Sequence, residues 1–275
     1  MANGLFNRTI LVTRPRDQAQ ELQFLLEKEG AKTLVQPAIT ITPPKNWDDV
    51  DDALRAIDNQ EVDWALFSSA NGVRFIVERI VEKLRLSSSE SFKDVSEYFA
   101  QKNVRLATVG ASTTKVAQEF GLSISLEPKR YDAEGLIDAL TERLPNMRGV
   151  RFLSFRANRG RKVLSEELTS RGARVREVEA YQSVDATTPN ADVVNALREG
   201  KIDFATVMSS ATAKSIARMF GDLTKKTRWI ALSPLTASAL ESCGIKADSV
   251  AEQATIESLV ASIISLNASP SVVSK

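Results

Sequence analysis

Hydrophobic and polar positions along this chain follow two alternating patterns: short apolar runs, and longer segments with one apolar face. The run ILVT ends at Thr13, and the segment after it carries Leu22, Leu25 and Leu26 on one helical face, with Gly30 just past its end. An apolar run, an amphipathic segment and a closing glycine are typical of a strand–turn–helix unit. The recurrence of such units predicts an α/β fold with parallel sheets flanked by helices.

The same unit recurs later in the chain at a constant offset. In VRFLSFRANRGRKVLSEELTSRGARV, a strand runs to Phe155 and a helix ends before Gly172. Arg156 follows Arg14 by the same number of positions as Gly172 follows Gly30. No gap is needed to align the two segments, so we interpret them as two copies of one unit.

Further pairs follow in the same order. DWALFSSANGVRFI, which starts at Asp63, matches DFATVMSSATAKSI, which starts at Asp203. RLATVGASTTKVAQEFGL, from Arg105, matches RWIALSPLTASALESCGI, from Arg228, and AEGLIDAL matches TIESLVAS at the same offset as that pair. Any α/β chain repeats strand–helix units, but here the turn residues repeat as well. We therefore predict an internal duplication that forms two similar domains, each a parallel sheet flanked by helices.

Two extended stretches with prolines interrupt the alternation at matching places, residues 32–44 and 174–189. The halves could be simple tandem domains, or these stretches could cross between the domains as paired connectors, so that one domain holds both termini. The residues alone leave both arrangements open. Residues 86–100 have no counterpart and are interpreted as a surface insertion, and the tail NASPSVVSK, residues 267–275, is predicted to be disordered.

The turns after the strands carry small hydroxyl residues and glycine. In an open α/β sheet, ligands bind at the carboxyl ends of the strands, over the helix N-termini. Hydroxyls there can simply cap the helices, or the free N–H groups and the positive helix end can bind an anion. None of the turns is a GxxxxGK[ST] or GxGxxG loop, so nucleotide binding lacks its usual motif. The candidate ligand-binding residues are Thr13, Ser68, Ser69, Asn71, Gly110, Ser112, Ser209, Ser210, Thr212, Ser233 and Thr236.

Arginines and one tyrosine add to these turns. Arg14, Arg156 and Arg161 follow the first strands of the two repeats. A guanidinium binds a carboxylate through two parallel hydrogen bonds, although a solvated basic loop would look the same. Tyr181, in EAYQSV, is either a packing residue or a proton donor, because a phenol is still protonated at neutral pH.

Composition narrows the chemistry. The chain has no histidine, which excludes catalytic triads and imidazole metal ligands, and we expect neither a metal nor a cofactor. Cys243 is the only cysteine, so no intramolecular disulfide forms, and we expect a reducing, cytoplasmic location. A net charge of +1 gives no support for nucleic-acid binding. The chain lacks an apolar run of membrane-spanning length and a recognisable signal peptide.

The ordered segments ILVTRP, DWALFSSANGVRF, ATVGAST, RYDAEGL, RANRGR, VEAYQSV, DFATVMSS and SPLTA resemble the uroporphyrinogen-III synthase family, from about residue 8 to residue 265. The resemblance implies two α/β domains joined by a two-stranded extended connector, with the active site in a cleft between them. The implied boundaries are residues 1–36 plus 182–266 for domain 1, 39–175 for domain 2, and 37–38 and 176–181 for the connectors.

The resemblance also implies a reaction: hydroxymethylbilane, a linear tetrapyrrole with eight carboxylates, is cyclised to uroporphyrinogen III with inversion of ring D and loss of water. It implies that Tyr181 is a candidate general acid and that Thr236 lies near the substrate. By the same resemblance the turns at Ser69 and Ser209 face the cleft. A transient hand-over of substrate from the deaminase that precedes the synthase in the pathway is a further expectation.

Two other functions remain open at this point. A two-domain binding protein for a small anionic ligand, closing about a hinge, would use the same turns. The second open function is that of a regulatory module fused to other proteins of a pathway. One departure from the family is Ser233-Pro234, where the family commonly has Gly-Pro.

Overall fold

The computed structural model describes residues 4–84 and 91–268. The chain divides into two compact units: unit 1 comprises Met1–Thr40 and Val184–Lys275, and unit 2 comprises Ile41–Ser183. Among the described residues, no helix is long and apolar enough to cross a membrane.

Strands and helices alternate through most of the chain. The elements before residue 102 are β1 (Thr9–Val12), α1 (Arg16–Lys28), β2 (Lys32–Val35), β3 (Ile39–Thr42), α2 (Asp48–Asp58), β4 (Trp64–Phe67), α3 (Ala70–Leu84) and α4 (Ser91–Gln101). The later elements are β5 (Arg105–Thr108), α5 (Ala111–Glu119), β6 (Ile124–Leu126), α6 (Ala133–Arg143), β7 (Arg151–Ala157), α7 (Val163–Ser170), β8 (Arg174–Asp185), α8 (Ala191–Arg198), β9 (Phe204–Val207), α9 (Ser210–Phe220), a 3-10 helix (Gly221–Lys226), β10 (Arg228–Ala231), α10 (Pro234–Glu241), β11 (Ala247–Val250) and α11 (Ile256–Ala268).

Five strands follow the same order in both sheets, and the sheet of unit 2 has β3 as an additional edge strand. Unit 1 has the order β11-β10-β9-β1-β2, with parallel pairing throughout. In unit 2 the order is β3-β8-β7-β4-β5-β6, and the pairs from β8 to β6 are parallel. If the repeats in the sequence are used to match strands, β1 corresponds to β7, β2 to β8, β9 to β4, β10 to β5 and β11 to β6. The predicted α/β class with helix-flanked parallel sheets is confirmed.

The central strands are buried because helices cover both faces of each sheet. All four residues of WALF in β4 and of FATV in β9 are buried, as expected for parallel strands covered on both sides. On α1, Leu22 and Leu26 are fully buried, and Leu25 packs against the same core. Gly30 and Gly172 end their helices with φ of 87°, a left-handed conformation that glycine adopts without steric cost.

One hydrogen bond at the amino ends of the strands occurs in both units. The carboxylate of Asp63, just before β4, accepts a 2.8 Å hydrogen bond from the backbone N–H of Arg151 at the start of β7. Asp203, just before β9, accepts a 2.8 Å hydrogen bond from the N–H of Thr9 at the start of β1. Arg151 also binds Asp63 through its side chain, which with the backbone bond lowers the pKa of Asp63 against the effect of burial. The two sheets are therefore anchored in the same way.

The extended stretches contain the two places where the chain passes between the units. The division falls at residues 40/41, in β3, and at residues 183/184, in β8. These two strands are hydrogen-bonded neighbours in one sheet. Residues 176–181, expected as a connector, lie inside β8 and pair with β7 as far as Ala157 and Tyr181. This stretch is therefore also an integral strand of unit 2.

The predicted surface insertion differs from what the structure contains. Residues 85–90 lie outside the described residues, but residues from 91 onward form α4. Val95 and Phe99 of that helix are buried in the core of unit 2, and the hydroxyl of Tyr98 donates a 3.2 Å hydrogen bond to the carbonyl of Leu54. The described part of the insertion is thus a core helix, since its apolar residues at helical spacing are buried in the core of unit 2 and the helix contacts α3.

The predicted disordered tail is wrong at its first two residues, which belong to α11. Asn267 lies in α11, where its side chain accepts a 2.8 Å hydrogen bond from Nε of Arg8 and donates a 2.9 Å hydrogen bond to the carbonyl of Gly4. These bonds attach the end of the helix to the segment before β1. Residues 269–275 lie outside the described residues.

Candidate active site

The carboxyl edge of unit 1 brings three predicted turns together. Thr13 follows β1, Ser209 follows β9, and Ser233 follows β10, and these strands are parallel neighbours. Val207 pairs with Ala231, and Ser209 and Ser233 each lie two residues further along. The two serines therefore emerge from adjacent strands at the same level.

These two serines cap their helices with the same geometry. Oγ of Ser209 accepts a 3.1 Å hydrogen bond from the N–H of Thr212 and lies 2.9 Å from its hydroxyl. Oγ of Ser233 accepts a 3.3 Å hydrogen bond from the N–H of Thr236 and lies 3.1 Å from its hydroxyl. Each cap uses one first-turn N–H group and leaves others without an intrahelical partner. Capping and anion binding are therefore compatible at both turns.

The other unit 1 candidates differ in how exposed their polar groups are. The hydroxyl of Thr13 is fully buried and donates a 2.5 Å hydrogen bond to the carbonyl of Thr206. This bond joins β1 to β9, so the geometry does not favour Thr13 as a ligand-binding residue. Arg14 follows in the same turn and is partly buried, and Ser210, also partly buried, begins α9.

The carboxyl edge of unit 2 carries the second set of turns. Ser68, Ser69 and Asn71 follow β4, Gly110 and Ser112 follow β5, Arg156 lies near the end of β7, and Tyr181 lies on β8. Because β8, β7, β4 and β5 are consecutive parallel strands, these residues meet at one edge.

Tyr181 is held in place by the turn after β4. Its hydroxyl lies 2.9 Å from Oγ of Ser69, which also accepts a 3.2 Å hydrogen bond from the N–H of Gly72. Its ring stacks on Phe75 of α3, with centroids 6.0 Å apart and planes at 11°. The tyrosine is only 7% exposed.

The surroundings of Tyr181 keep its phenol protonated at neutral pH. Burial raises the pKa of Tyr181, and this outweighs the opposite effects of hydrogen bonds from Ser69 and Asn71 and of the charges of Arg156 and Arg159. A buried group disfavours its charged form unless neighbouring groups compensate. Tyr181 is therefore a neutral hydrogen-bond donor and a potential acid.

The aromatic residues that support Tyr181 were not predicted from the sequence. Phe75 contacts Trp47, with ring centroids 6.5 Å apart, and the guanidinium of Arg79 lies 5.1 Å from the Trp47 ring centroid. Arg79 is paired with Asp51 at 2.7 Å, which joins α3 to α2. The sequence feature that could have indicated this support is Phe75, which lies one to two helical turns after the hydroxyl-rich turn in DWALFSSANGVRFI.

The two predicted arginines of unit 2 have carboxylate partners of their own. Arg156 donates to Glu177 at 2.7 Å and to the carbonyl of Gly160 at 2.8 Å. Arg161 binds both oxygens of Glu134, at 2.5 and 3.1 Å, and this lowers the pKa of Glu134. Their charges are balanced within unit 2, which sequence analysis did not foresee because both glutamates belong to other elements, distant in the chain.

The turn after β5 needs glycine for a steric reason. A Cβ at Gly110 would lie 2.9 Å from Cβ of Tyr131, whose side chain covers this position. The helix is held instead through its backbone, since the N–H of Thr113 donates to the carbonyl of Gly110 at 3.0 Å. Ser112 is exposed on the first turn of α5, and exposed Ser68 donates a 3.2 Å hydrogen bond to the carbonyl of Phe155.

Two further features lie apart from these turns. Among residues 4–84 and 91–268, no group of three or more acidic, cysteine or histidine side chains could hold a metal ion. A cavity of about 430 Å³ in unit 2 is lined in part by Arg151, Phe152 and Arg174. Arg151 and Arg174 begin β7 and β8, so this cavity lies at the amino ends of the strands, opposite to Tyr181.

Comparisons with known proteins show the family to which this chain is related. The family model described as uroporphyrinogen-III synthase HemD matches residues 20–261. A relative from Methanothermobacter thermautotrophicus, whose name refers to uroporphyrinogen-III synthase, is 30% identical over 263 residues, 92% of this chain and 96% of that protein. The uroporphyrinogen-III synthase of Synechococcus elongatus is 29% identical over 216 residues, 78% of this chain and 75% of its own.

A solved structure shows the same fold. The uroporphyrinogen-III synthetase of Helicobacter pylori aligns with a TM-score of 0.59 at 17% identity, over 94% of this chain and 99% of that one. These comparisons do not favour the alternative of a hinge-type binding protein for a small anion. The family model matches most of this chain, and the relative from Methanothermobacter thermautotrophicus aligns with 92% of it. The chain therefore belongs to the uroporphyrinogen-III synthase family.

Proposed function

We propose that this protein is a uroporphyrinogen-III synthase, a lyase of tetrapyrrole biosynthesis that cyclises hydroxymethylbilane with inversion of ring D and loss of water. The observation that carries the proposal is the buried, neutral phenol of Tyr181 at the carboxyl edge of unit 2, in a chain of this family. The substrate is a small molecule, and the chemistry below requires no metal or cofactor.

Tyr181 is the proposed general acid. Its proton passes to the oxygen of the hydroxymethyl group as the C–O bond breaks, and water leaves. The electron pair of the adjacent pyrrole nitrogen stabilises the resulting carbocation, so no strong external base or metal is needed. Ring closure later releases a proton from the attacked pyrrole carbon, and that proton restores the phenol. A positioned acid of this kind contributes about 10²- to 10⁴-fold to a rate.

Binding requires many dispersed donors, because the substrate is a flexible molecule with eight carboxylates. Each unit offers such donors at its own carboxyl edge: the first-turn N–H groups of α9 and α10 in unit 1, and those of α3 and α5 in unit 2. Helix N-termini of this kind attract carboxylates through their N–H groups and dipole. Fixing the chain in one conformation lets the inverted closure compete with spontaneous closure to the type I isomer.

The hydroxyl candidates and the arginine candidates have different roles in substrate binding. Ser209, Ser210, Ser233, Ser112 and Ser68 supply hydroxyl or backbone donors, together with Asn71, Gly110, Thr212 and Thr236. Arg156 and Arg161 are paired with glutamates, so each would bind a substrate carboxylate by exchanging or sharing its partner.

The domain layout and cellular context complete the proposal. We propose two domains, one of which holds both termini: residues 1–36 and 182–266 form domain 1 and residues 39–175 form domain 2, with residues 37–38 and 176–181 as the connectors. The compact units, which divide at residues 40/41 and 183/184, support this discontinuous arrangement, although they include residues 176–183 in unit 2. A cytoplasmic location is supported by the single cysteine. Direct hand-over of substrate from the preceding deaminase stays a prediction, which kinetic measurements on the mixed enzymes would test.

The test supplies freshly made hydroxymethylbilane to the purified protein and separates the porphyrin isomers after oxidation. We expect the type III isomer in large excess over the type I isomer that forms without enzyme. A product mixture identical to that of the protein-free control would overturn the proposal.

A further inference from the structure

We propose that Ser69 is a positioning residue for Tyr181 and that its hydroxyl does not bind the substrate. Its hydroxyl orients the phenol for proton donation and then stabilises the phenolate that remains. This inference rests on the proposed function, because it concerns the acid of that reaction.

The hydrogen-bonding capacity of Ser69 carries the argument. A serine hydroxyl has one hydrogen to donate and two lone pairs to accept. One lone pair of Ser69 accepts the N–H of Gly72 at 3.2 Å, and the Tyr181 hydroxyl lies 2.9 Å away. If Tyr181 donated to Ser69, the phenol hydrogen would point away from any substrate. If Ser69 donates to Tyr181, alongside the hydrogen bond from Asn71, the two lone pairs of the phenol oxygen accept both bonds and its hydrogen is free for transfer. Of the two directions for the Ser69 bond, only this one makes Tyr181 a competent acid.

The same arrangement leaves the Ser69 hydroxyl no hydrogen to donate to a carboxylate. Once its hydrogen is directed to Tyr181, Ser69 retains only an acceptor lone pair, and a carboxylate can only accept. After proton transfer the existing bond becomes a charge-assisted bond to the phenolate, without a change of partner. Donors aimed in advance at the atom where charge develops need no reorganisation during the reaction.

Helix α3 fixes the phenol at two points. Ser69 at its N-cap holds the hydroxyl, and Phe75 on its second turn stacks on the ring. The arginine–aspartate pair between Arg79 and Asp51, with Trp47 against Phe75, supports the second point. The tyrosine is thereby held in a defined orientation relative to the end of β4.

Unit 1 contains the same cap without a phenol. Ser209, which matches Ser69 in the repeated segment, accepts the N–H of Thr212 at 3.1 Å, and its second partner is the Thr212 hydroxyl at 2.9 Å. The position that matches Tyr181 in the first repeat is Ile39. Capping therefore does not require a tyrosine, and the contact between Ser69 and Tyr181 is specific to unit 2.

Kinetics with two substitutions test the role. Ser69→Gly removes the hydroxyl while leaving a residue that helix N-caps accept, and Ser69→Thr keeps the hydroxyl. We expect Ser69→Gly to lower kcat at least about 10-fold with KM changed less than about twofold, because only the acid is affected. Ser69→Thr should restore most of the loss. A raised KM at unchanged kcat in Ser69→Gly would instead identify Ser69 as a substrate ligand and overturn the proposal.

A double substitution tests whether Ser69 acts through Tyr181. In the Tyr181→Phe background, Ser69→Gly should cause almost no further loss of kcat, since residues that act as one unit are strongly non-additive. Losses that multiply in the double variant would show that the two residues act independently, which contradicts the proposal.

A measurement without substrate separates this inference from the proposed function. The chain has three tyrosines, and labelling with [13Cζ]tyrosine lets each phenol be titrated by NMR, with the Tyr181 signal assigned by its absence in Tyr181→Phe. Loss of the Ser69 hydrogen bond destabilises the phenolate, so the Tyr181 titration should move to higher pH in Ser69→Gly and return towards wild type in Ser69→Thr. An unmoved Tyr181 signal overturns the inference, whereas the absence of the type III product with wild-type protein overturns only the proposed function.

Discussion

Nη1 of Arg156 lies 2.7 Å from Oε1 of Glu177 on the neighbouring strand β8. Both side chains are mostly buried, at 13% and 27% exposed. Burial raises the pKa of Glu177, but the hydrogen bonds from Ser165 and Arg156 together lower it by more. The net pKa is therefore below the ordinary value, and the glutamate stays ionised. The arginine at this edge is therefore already bound to a carboxylate of its own chain before any ligand arrives.

Releasing Arg156 should change substrate affinity. We expect Glu177→Gln to lower KM for hydroxymethylbilane about 2- to 5-fold, because the charge-assisted bond can then form with a substrate carboxylate. Glu167→Gln, which breaks the exposed pair with Arg171 at the C-terminal end of α7, is the control and should leave KM unchanged. If Glu177→Gln and Arg156→Ala both leave KM unchanged, Arg156 does not bind the substrate.

Loss of the Tyr181 hydroxyl should abolish most of the catalysis. We expect Tyr181→Phe to lower kcat about 10- to 10⁴-fold through loss of the proton donor. Tyr98→Phe removes another largely buried phenol, one that binds the carbonyl of Leu54, and should retain wild-type turnover. Stopped assays of type III product measure both variants. Near wild-type turnover in Tyr181→Phe would assign this tyrosine a purely structural role.

The ion pair that joins α2 to α3 should make stability dependent on pH. Hydrogen bonds from Arg79 lower the pKa of Asp51 below the ordinary value of an aspartate despite burial, with Lys83 contributing. Because the folded pKa is the lower one, this stabilisation is present above the unfolded pKa and is lost as pH falls through the folded value. We expect Asp51→Asn to lower the free energy of unfolding by about 1.5–3 kcal/mol at neutral pH.

Urea unfolding at neutral and acidic pH measures this effect. The difference between wild type and Asp51→Asn should shrink as pH drops below the ordinary carboxyl range. Glu78→Gln, on an exposed position of α3, should show little difference at either pH. A gap for Asp51→Asn that stays constant with pH would contradict the assignment of this stabilisation to the ionised carboxylate.

Two glycines in helices should respond to alanine with opposite signs. A Cβ at Gly135 would lie 2.1 Å from the carbonyl oxygen of Arg130, so backbone must move. We expect Gly135→Ala to destabilise the protein by about 1–3 kcal/mol, as overpacking does. At Gly72 the nearest atom would be 3.6 Å away, so Gly72→Ala should stabilise α3 by up to about 1 kcal/mol. Thermal unfolding midpoints compare the two, and equal shifts in both variants would contradict the steric explanation.

The sequence by itself determined the elements and their order. Short apolar strands, helices with one apolar face and glycines such as Gly30 and Gly172 are local signals, because they depend on residues close together in the chain. The constant offsets within the repeated segments predicted matching turns, and both sheets place the corresponding strands in one order. The local signals were weakest at α4, where no repeat partner indicated that Val95 and Phe99 are core residues.

The tertiary structure alone decided which polar groups pair with which. Tyr181 and Ser69 are far apart in the chain, and only the parallel order of β8, β7 and β4 brings them into contact. The same long-range pairing directs the Thr13 hydroxyl to Thr206 and Arg161 to Glu134. Hydrogen bonds and ion pairs act over a few ångströms in space, whatever the separation along the chain. The sequence therefore determined which side chains reach the carboxyl edges, and the fold decided which of their donors are already used.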